Sequence, residues 1–468
     1  MASSVPDIPA RLDRLPWSGW HGRVVLALGA AWVLDGLEVT LVGSLGAVLE
    51  QPDTLGLSAS QVGASGSMYL GGAVVGALIF GRLADQLGRK CLFLVTLAVY
   101  TLATLATAFA TGFWSFALCR IVTGLGIGGE YAAINSAIDE LIPARVRGRV
   151  NLGINGSFWI GAALGAAASL VLLAWLGAAW GWRVGFGLGA VLAVAIIVVR
   201  RHVPESPRWL LMHGRAAEAE QVLAAIEAEA GIQTDAPRLH AAPARRVTPS
   251  IGLVLRVLLT KYRRRSVVGL ALMISQAFFY NAIFFTHALV LTRFYGVPAA
   301  QVAYYIFPFA LGNVLGPLVL GPLFDRVGRR RMIGATYALS GIGLALIGVA
   351  FLQDWFTATT QALAWSAVFF VASAAASSAY LTVSEVFPLE MRSLAIAVFY
   401  AVGTGAGGFA APVLFGWLVE SGSRAAVAGG YAFGAGLVLI AAVLAWRYAI
   451  DAERKPLEEI AGPLEDGP

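Results

Sequence analysis

Gly81-Arg82-Leu83-Ala84-Asp85-Gln86-Leu87-Gly88-Arg89-Lys90 is written into this chain twice. Gly321-Pro322-Leu323-Phe324-Asp325-Arg326-Val327-Gly328-Arg329-Arg330 repeats its Gly, Leu, Asp, Gly and Arg at the same spacing 240 residues later. A second pair moves in step. Asp139-Glu140-Leu141-Ile142-Pro143 with Arg147 is matched by Ser384-Glu385-Val386-Phe387-Pro388 with Arg392, so that Glu, Pro and Arg fall at relative positions 0, +3 and +7 in both. Two motifs repeated half a chain apart are an internal duplication. Each copy of the first sits in a short charged gap between two long apolar runs and reads as a tight turn between membrane helices. Glycine lets the chain turn where a side chain would clash, and the Asp and Arg stay at the water boundary.

Outward from these turns, apolar runs long enough to cross about 30 Å of hydrocarbon fall at about 23–49, 63–82, 90–110, 113–137, 150–174, 183–200, 266–292, 300–323, 331–352, 360–384, 393–418 and 425–447, six on either side of a polar middle. Composition agrees: 58% hydrophobic, 13% charged and a mean hydropathy of +0.75, where a soluble domain carries roughly 25% charged residues. The expected fold class is an all-α membrane protein with twelve transmembrane helices in two pseudo-symmetric six-helix bundles. The expected divisions are an N-terminal segment 1–22, a bundle 23–200, a central loop with short helices 201–265, a bundle 266–448 and a tail 449–468.

Of 33 Lys and Arg, Arg183, Arg293 and Arg424 fall opposite the motif loops, Arg120 lies within a span, and the rest are on the motif side. The positive-inside rule makes that side cytoplasmic, with both termini and the central loop inside and the spans in an inner membrane. The formal charge of +6 then reports topology and contact with the lipid bilayer, not a nucleic-acid partner. A monomer is expected. Residues 1–22 are polar and Pro-containing, unlike a signal peptide, and Ile8 to His21, with Leu12, Leu15, Trp17 and Trp20, reads as a short interfacial helix. Gly214 to Ala230 reads as an amphipathic helix beneath the bundle, and 231–249 as a flexible connector. Cys91 and Cys119 stand at opposite ends of their spans and cannot pair; without nearby His ligands they suggest no metal site, and no cofactor is expected.

The G-x-L-x-D-x-x-G-R-[KR] loops resemble the signature of the major facilitator superfamily, and the resemblance runs from about Arg23 to about Glu459. Arg120-Ile121-Val122-Thr123-Gly124-Leu125-Gly126-Ile127-Gly128-Gly129 is similar to the fourth helix of its sugar-porter branch. Pro204-Glu205-Ser206-Pro207-Arg208-Trp209-Leu210 is similar to the motif that closes that branch's first half. The tail around Asp451 to Ile460 keeps Glu453 of the sugar-porter ending while losing its Pro, Thr and Gly. The strings Gly128 to Tyr131 and Ser384 to Arg392 look closer to bacterial metabolite and organic-acid symporters and to relatives of synaptic vesicle glycoprotein 2. The resemblance implies two halves rocking about a midplane site. In proton-coupled members a first-helix Asp pairs with the fourth-helix Arg, positions matched by Asp35 and Arg120.

Asp35 and Glu38 lie three residues apart on one face of the first span, near mid-membrane. An ionisable group there costs ~3 kcal/mol on insertion scales, so each needs a cavity or a partner. Asp35, whose charge decides whether Arg120 is held, is the expected proton carrier, with Glu38 as its relay or substitute. In the seventh span Gln276, Tyr280 and Asn281 stand among phenylalanines, the usual make-up of a small-molecule site. Tyr131, Asn135, Asn155, Trp159, Trp365 and Tyr380 complete the expected substrate set. Small residues at every fourth position, Ser157, Gly161, Gly165 and Ser169, then Gly403, Gly407 and Ala411, with Gly72 and Gly76 and with Gly312 and Gly316, let helix backbones approach closely. In the resembled fold these four spans cross between the halves. Asp85, Arg89, Glu140 and Arg147, with Asp325, Arg329, Glu385 and Arg392, are expected to form two cytoplasmic charge clusters that latch an outward-facing state.

No nucleotide-binding loop occurs, nor a nucleophile with a base, so an enzyme is not expected and any uphill movement must draw on a gradient. The expected function is proton symport of a small organic metabolite, an organic or aromatic acid or a sugar-like compound, by alternating access. A drug/proton antiporter is the alternative within transport, although residues 151–174 lack the proline of the antiporter motif. A nutrient receptor on a transporter scaffold would need a signalling extension that segments 1–22 and 449–468 do not provide.

Overall fold

The computed structural model describes residues 8–49, 51–200, 204–232, 250–284, 286–298, 302 and 304–462, and among them every regular element is helical. A short α1 (Ile8–Arg14) precedes α2 (Gly19–Leu49), α3 (Ala59–Leu87), α4 (Arg89–Thr107) and α5 (Phe113–Leu141). Then α6 (Arg147–Gly156) leads past Ser157 into α7 (Phe158–Arg200). With 43 residues at about 1.5 Å each, α7 is roughly twice the thickness of the hydrocarbon layer. It crosses twice because Gly177 takes φ 69° and ψ −178°, a backbone state that only glycine adopts cheaply.

The polar middle holds α8 (Pro207–Met212), α9 (Ala216–Glu229) and α10 (Ile251–Leu259). The second bundle begins with α11 (Arg263–Phe284) and its extension α12 (His287–Tyr295), followed by α13 (Ile306–Arg326), α14 (Arg329–Leu352) and α15 (Ala358–Glu385). Next, α16 (Arg392–Val402) passes through a π-turn at Gly403–Gly408 into α17 (Phe409–Glu420), and α18 (Arg424–Tyr448) and α19 (Leu457–Ile460) close the described chain. With α6 and α7 making two passages and α16 and α17 one, these are twelve spans in two bundles of six, as the duplication predicts.

The small-residue stripes seal helices within each bundle. A Cβ added to Gly161 would lie 1.7 Å from the Val33 carbonyl oxygen, and one on Gly36 1.8 Å from that of Phe158, so α2 and α7 touch backbone to backbone. Gly72 and Gly76 of α3 meet the carbonyls of Ile121 and Leu125 in α5 in the same way. The second bundle repeats the arrangement: Gly312 and Gly316 of α13 abut Ser366 and Phe370 of α15, and Gly403 and Gly407 abut Met273 and Ile274 of α11. The spacing therefore marks contacts inside a half, while the expectation that these four spans cross between the halves holds on their other faces. The halves meet through other faces, with α3 against α16, α6 against α13 and α15, and α5 against α16.

Under the bundle, on the face that carries the motif loops, Arg11 of α1 reaches Glu220 at 2.8 Å and Glu227 at 2.7 Å on α9. Leu12, Leu15 and Trp20 are buried there while Trp17 is half exposed. The expected interfacial helix is thus shorter than 8–21 and packs on protein, because its apolar side matches the one that Ala219, Leu223 and Ile226 present on α9. From residue 233 on, the expected connector lies outside the described residues.

Substituting Gly161→Val pushes a branched side chain into the α2 carbonyls and should cost more than the usual overpacking penalty of about 1–3 kcal/mol. Gly429→Val, at a position with nothing within 4 Å of an added Cβ, should be neutral. Thermal unfolding of the two purified variants checks this, with a lowered transition expected for Gly161→Val alone.

Candidate functional site

A cavity of about 190 Å³ lies between the two bundles, walled by α2, α3, α5, α6 and α7 from the first and α11, α15, α16 and the π-turn from the second. Its walls are mainly aromatic. Tyr131 stacks on Tyr400 at 4.6 Å and lies nearly parallel to Tyr380 at 6.2 Å, with Trp32 edge-on to Tyr131 at 4.5 Å. On another wall Trp159 stands 5.9 Å from Tyr280 and 5.4 Å from Phe284. Rings from both halves thus meet across the midplane, and such offset and edge contacts favour a flat, polarisable guest.

Polar groups in the wall are few and mostly engaged from behind. The Tyr280 hydroxyl donates to Asn313 Oδ1 at 2.7 Å, Tyr380 pairs with Gln276, and Asn281 Nδ2 donates to the Ala277 carbonyl at 2.7 Å. Ser373, Ser377 and Thr404 add hydroxyls. Among the described lining residues there is no Lys, Arg, His, Asp or Glu.

Of the substrate residues expected from sequence, Gln276, Tyr280, Asn281, Tyr131, Asn155, Trp159 and Tyr380 line this cavity. Asn135 and Trp365 do not. Asn135 sits behind the wall and is bonded there by Asn151, and Trp365 is buried in packing with 2% exposure. Trp32 and Tyr69 line the cavity without having been expected. Both are single aromatic residues in apolar spans, where only knowledge of which face looks inward separates a wall from a core.

The membrane-embedded charges form a separate site inside the first bundle. Arg120 Nη1 lies 2.8 Å from Glu38 Oε1, and Glu38 Oε2 accepts a hydrogen bond from Thr104 at 2.9 Å. Arg120 Nη2 donates to Thr107 at 2.9 Å and Thr123 at 3.2 Å, and the guanidinium lies 5.0 Å from the Phe186 ring. The resemblance implied Asp35 as the partner. Arg120 sits near the start of α5, at the end of the bundle remote from the motif loops, and Glu38, one turn beyond Asp35 along α2, reaches that level. Asp35 is also buried, and the cavity residue Tyr69 lies within electrostatic reach of Asp35, Glu38 and Arg120.

The motif loops form one network across both halves, not two clusters. Arg89 pairs with Glu140 at 2.6 Å and donates to Ser136 at 3.2 Å; in the second half Arg329 pairs with Asp325 at 2.8 Å and Glu385 at 2.9 Å. Asp325 also accepts the backbone N–H groups of Gly148 at 3.1 Å and Arg149 at 2.8 Å from the opposite bundle. Arg147 lies 3.8 Å from Glu385 and 3.4 Å from Asp13, and Ser393 meets Ser136 at 3.2 Å. Arg392 donates to the Phe387 carbonyl at 3.1 Å and lies within electrostatic reach of Asp139 and Glu140. The Asp85 side chain lies outside the described residues.

Behind each loop a carboxylate caps the next helix. Glu205 accepts the N–H groups of Arg89 at 3.0 Å and Lys90 at 3.1 Å, and Glu453 accepts that of Arg329 at 3.2 Å. Anions are favoured at helix N-termini. Burial nonetheless pushes the Glu205 carboxyl above its ordinary range, the N–H donors and Arg89 opposing that shift. Gly88 and Gly328, at φ 91° and 113°, turn the chain at these places, and a Cβ on Gly88 would lie 2.2 Å from the Glu205 carboxylate.

The chain matches the family described as "Sugar (and other) transporter" over residues 38–462. It is 27% identical over 410 residues to the niacin transporter NiaP of Acinetobacter baylyi, covering 87% of this chain and 89% of that protein. It is 27% identical over 404 residues to the 4-hydroxybenzoate transporter PcaK of Pseudomonas aeruginosa, covering 85% and 86%. The structure of the proton:xylose symporter XylE bound to 6-bromo-6-deoxy-D-glucose superposes with a TM-score of 0.74 at 20% identity, over 94% of this chain and 98% of that one. With the doubled loop motif, the two six-helix bundles and the cavity between them, the chain belongs to the sugar (and other) transporter family of the major facilitator superfamily and is a membrane transporter, not an enzyme.

Proposed function

We propose that this protein is a proton symporter for a small aromatic metabolite, working as a monomer by alternating access in an inner membrane with its motif loops and termini in the cytoplasm. The aromatic cavity shared by the two halves carries this reading, because stacked rings and sparse hydrogen-bond groups suit a planar organic molecule better than a polyhydroxylated sugar. Relatives that carry niacin, 4-hydroxybenzoate and gallate support the aromatic class. The excess of Lys and Arg on the motif side supports the orientation.

Coupling is assigned to the carboxylates of α2. While Glu38 is ionised it holds Arg120; protonation removes that attraction and leaves a buried cation in search of other partners, which favours a rearranged bundle. Tyr69, between this site and the cavity, connects the change to bound substrate. The cross-half network then acts as the cytoplasmic latch. Opening inward must break the contacts of Asp325 with Gly148 and Arg149 and that of Glu385 with Arg147.

Two outcomes follow. Glu38→Gln should abolish accumulation driven by a pH gradient in proteoliposomes while substrate exchange persists, the exchange also showing that the variant is folded. If Glu38→Gln still concentrates substrate and Asp35→Asn does not, the coupling role passes to Asp35; if both still concentrate it, neither carboxylate couples. For the latch, Asp325→Asn should shift the conformational equilibrium inward by on the order of 1–3 kcal/mol, roughly 5- to 150-fold in population. Faster labelling, from the cytoplasmic side, of a cysteine placed in the cavity wall measures this, and an unchanged rate would remove Asp325 from the latch.

A further inference from the structure

Four arginines line one cleft between the two halves, on the face that carries the motif loops. The cleft has a volume of about 330 Å³ and is walled by Arg145 and Arg149 from the first half and by Pro322, Asp325, Arg326 and Arg454 from the second. All four arginines are exposed, and no guanidinium among them is paired with a carboxylate of a described residue. Arg145 donates to the Leu15 carbonyl at 2.6 Å and Arg149 lies 5.8 Å from the Trp17 ring, contacts that leave both charges uncancelled. Arg454 is held at φ 57°, a state that residues other than glycine seldom adopt, directly after the Glu453 that caps Arg329. The acid of the wall, Asp325, is already engaged by Arg329 and by the N–H groups of Gly148 and Arg149.

The duplication supplies a comparison within the chain. Matched by the motif spacings and by the two capping glutamates, the corresponding positions of the other half carry Arg82, Asp85, Gln86, Ser206, Glu390 and Leu394. They hold one cation against two acids, where the cleft holds four against one. The turns and caps thus recur without the arginines, and the fold does not require four like charges at this place.

We propose that the cleft is an anion site that takes a phosphate group, and that the bound group, held by arginines of both halves, keeps the latch closed. Guanidinium forks match phosphate oxygens, and a multivalent anion relieves the mutual repulsion of the four cations. Two arginines stand on each half, so the full set exists only while the halves are together on this face. An anion that needs the full set therefore favours that state by its differential affinity. A soluble phosphate compound and a phospholipid headgroup offer the same chemistry. Binding requires only the cleft; its effect on opening rests on the proposed cytoplasmic latch.

The test uses the purified full chain in phosphatidylcholine nanodiscs titrated with pyrophosphate at constant ionic strength, and a second set of nanodiscs that contain phosphatidic acid. Calorimetry should show pyrophosphate binding that weakens about tenfold or more in Arg326→Gln/Arg454→Gln, as expected for lost charge-assisted hydrogen bonds. Neither side chain has a described hydrogen bond or ion pair, and an unchanged thermal transition without pyrophosphate reports a folded variant. Should the double variant fail to fold, Arg326→Gln alone reads the loss. Arg256→Gln, outside the cleft, should bind as the unmutated protein does. Stabilisation by phosphatidic acid alone, lost in the double variant, supports the site and assigns the phosphate to lipid. No binding in either arm, or binding that the double variant keeps, overturns the site. Whichever of the two probes binds should also slow labelling of a cavity-wall cysteine from the motif side. Binding with an unchanged rate overturns the bridging role, and if Asp325→Asn leaves that rate unchanged too, the latch falls with it.

Discussion

At Gly161 and Gly36 two helices are pressed together until backbone touches backbone, and the same contact recurs at Gly76, Gly316 and Gly407. Van der Waals contact at that range is available only where the residue facing the neighbouring backbone has no side chain, and in lipid it replaces the hydrophobic drive that holds soluble helices together. Each bundle is therefore stiff, since any sliding of α2 on α7 or of α3 on α5 would drive carbonyl oxygens into Cα atoms. Between the bundles, beside the ring contacts that wall the cavity, lie contacts of another kind: a serine pair, an arginine and a glutamate at 3.8 Å, and a carboxylate on two backbone N–H groups. These are directional and exchangeable for water, so movement is concentrated at the one surface where contacts can be broken and remade.

The same low dielectric governs where charges lie. Arg120 and Glu38 are both almost completely buried, and neither could remain there alone, since removing one partner of such a pair costs about 3–5 kcal/mol. Thr104, Thr107 and Thr123 satisfy oxygens and N–H groups that the pair itself does not. At the motif loops the charges are as deeply buried but joined in a longer network, where each Arg finds a carboxylate or a carbonyl.

The architecture was legible in the sequence because duplication and hydropathy are properties of sequence alone: Gly81 to Lys90 and its copy mark the turns, and the long apolar runs mark the spans. Gln276, Tyr280 and Asn281 could be assigned to a cavity because amides inside a membrane span need a reason to be there. What could not be read was direction. A stripe of glycines shows that a helix has a close neighbour and not which one, so Gly161 reads equally well against its own bundle or the other. Asp35 and Glu38 share a face of α2, and the choice between them for Arg120 depends on the relative height of α5. Asn135 and Asn155 look alike in a sequence, yet one is structural support and the other wall.

Glu205 and Glu453 cap α4 and α14 from far along the chain, 116 residues after Arg89 in the first half and 124 after Arg329 in the second. Each carboxylate follows the last span of its own bundle. During synthesis, then, the N-terminus of the third helix in each half is already made while the group that will cap it has yet to leave the ribosome. The two loops acquire their final shape only when the bundle behind them is finished, so each half carries a marker of its own completion, one at mid-chain and one at the end.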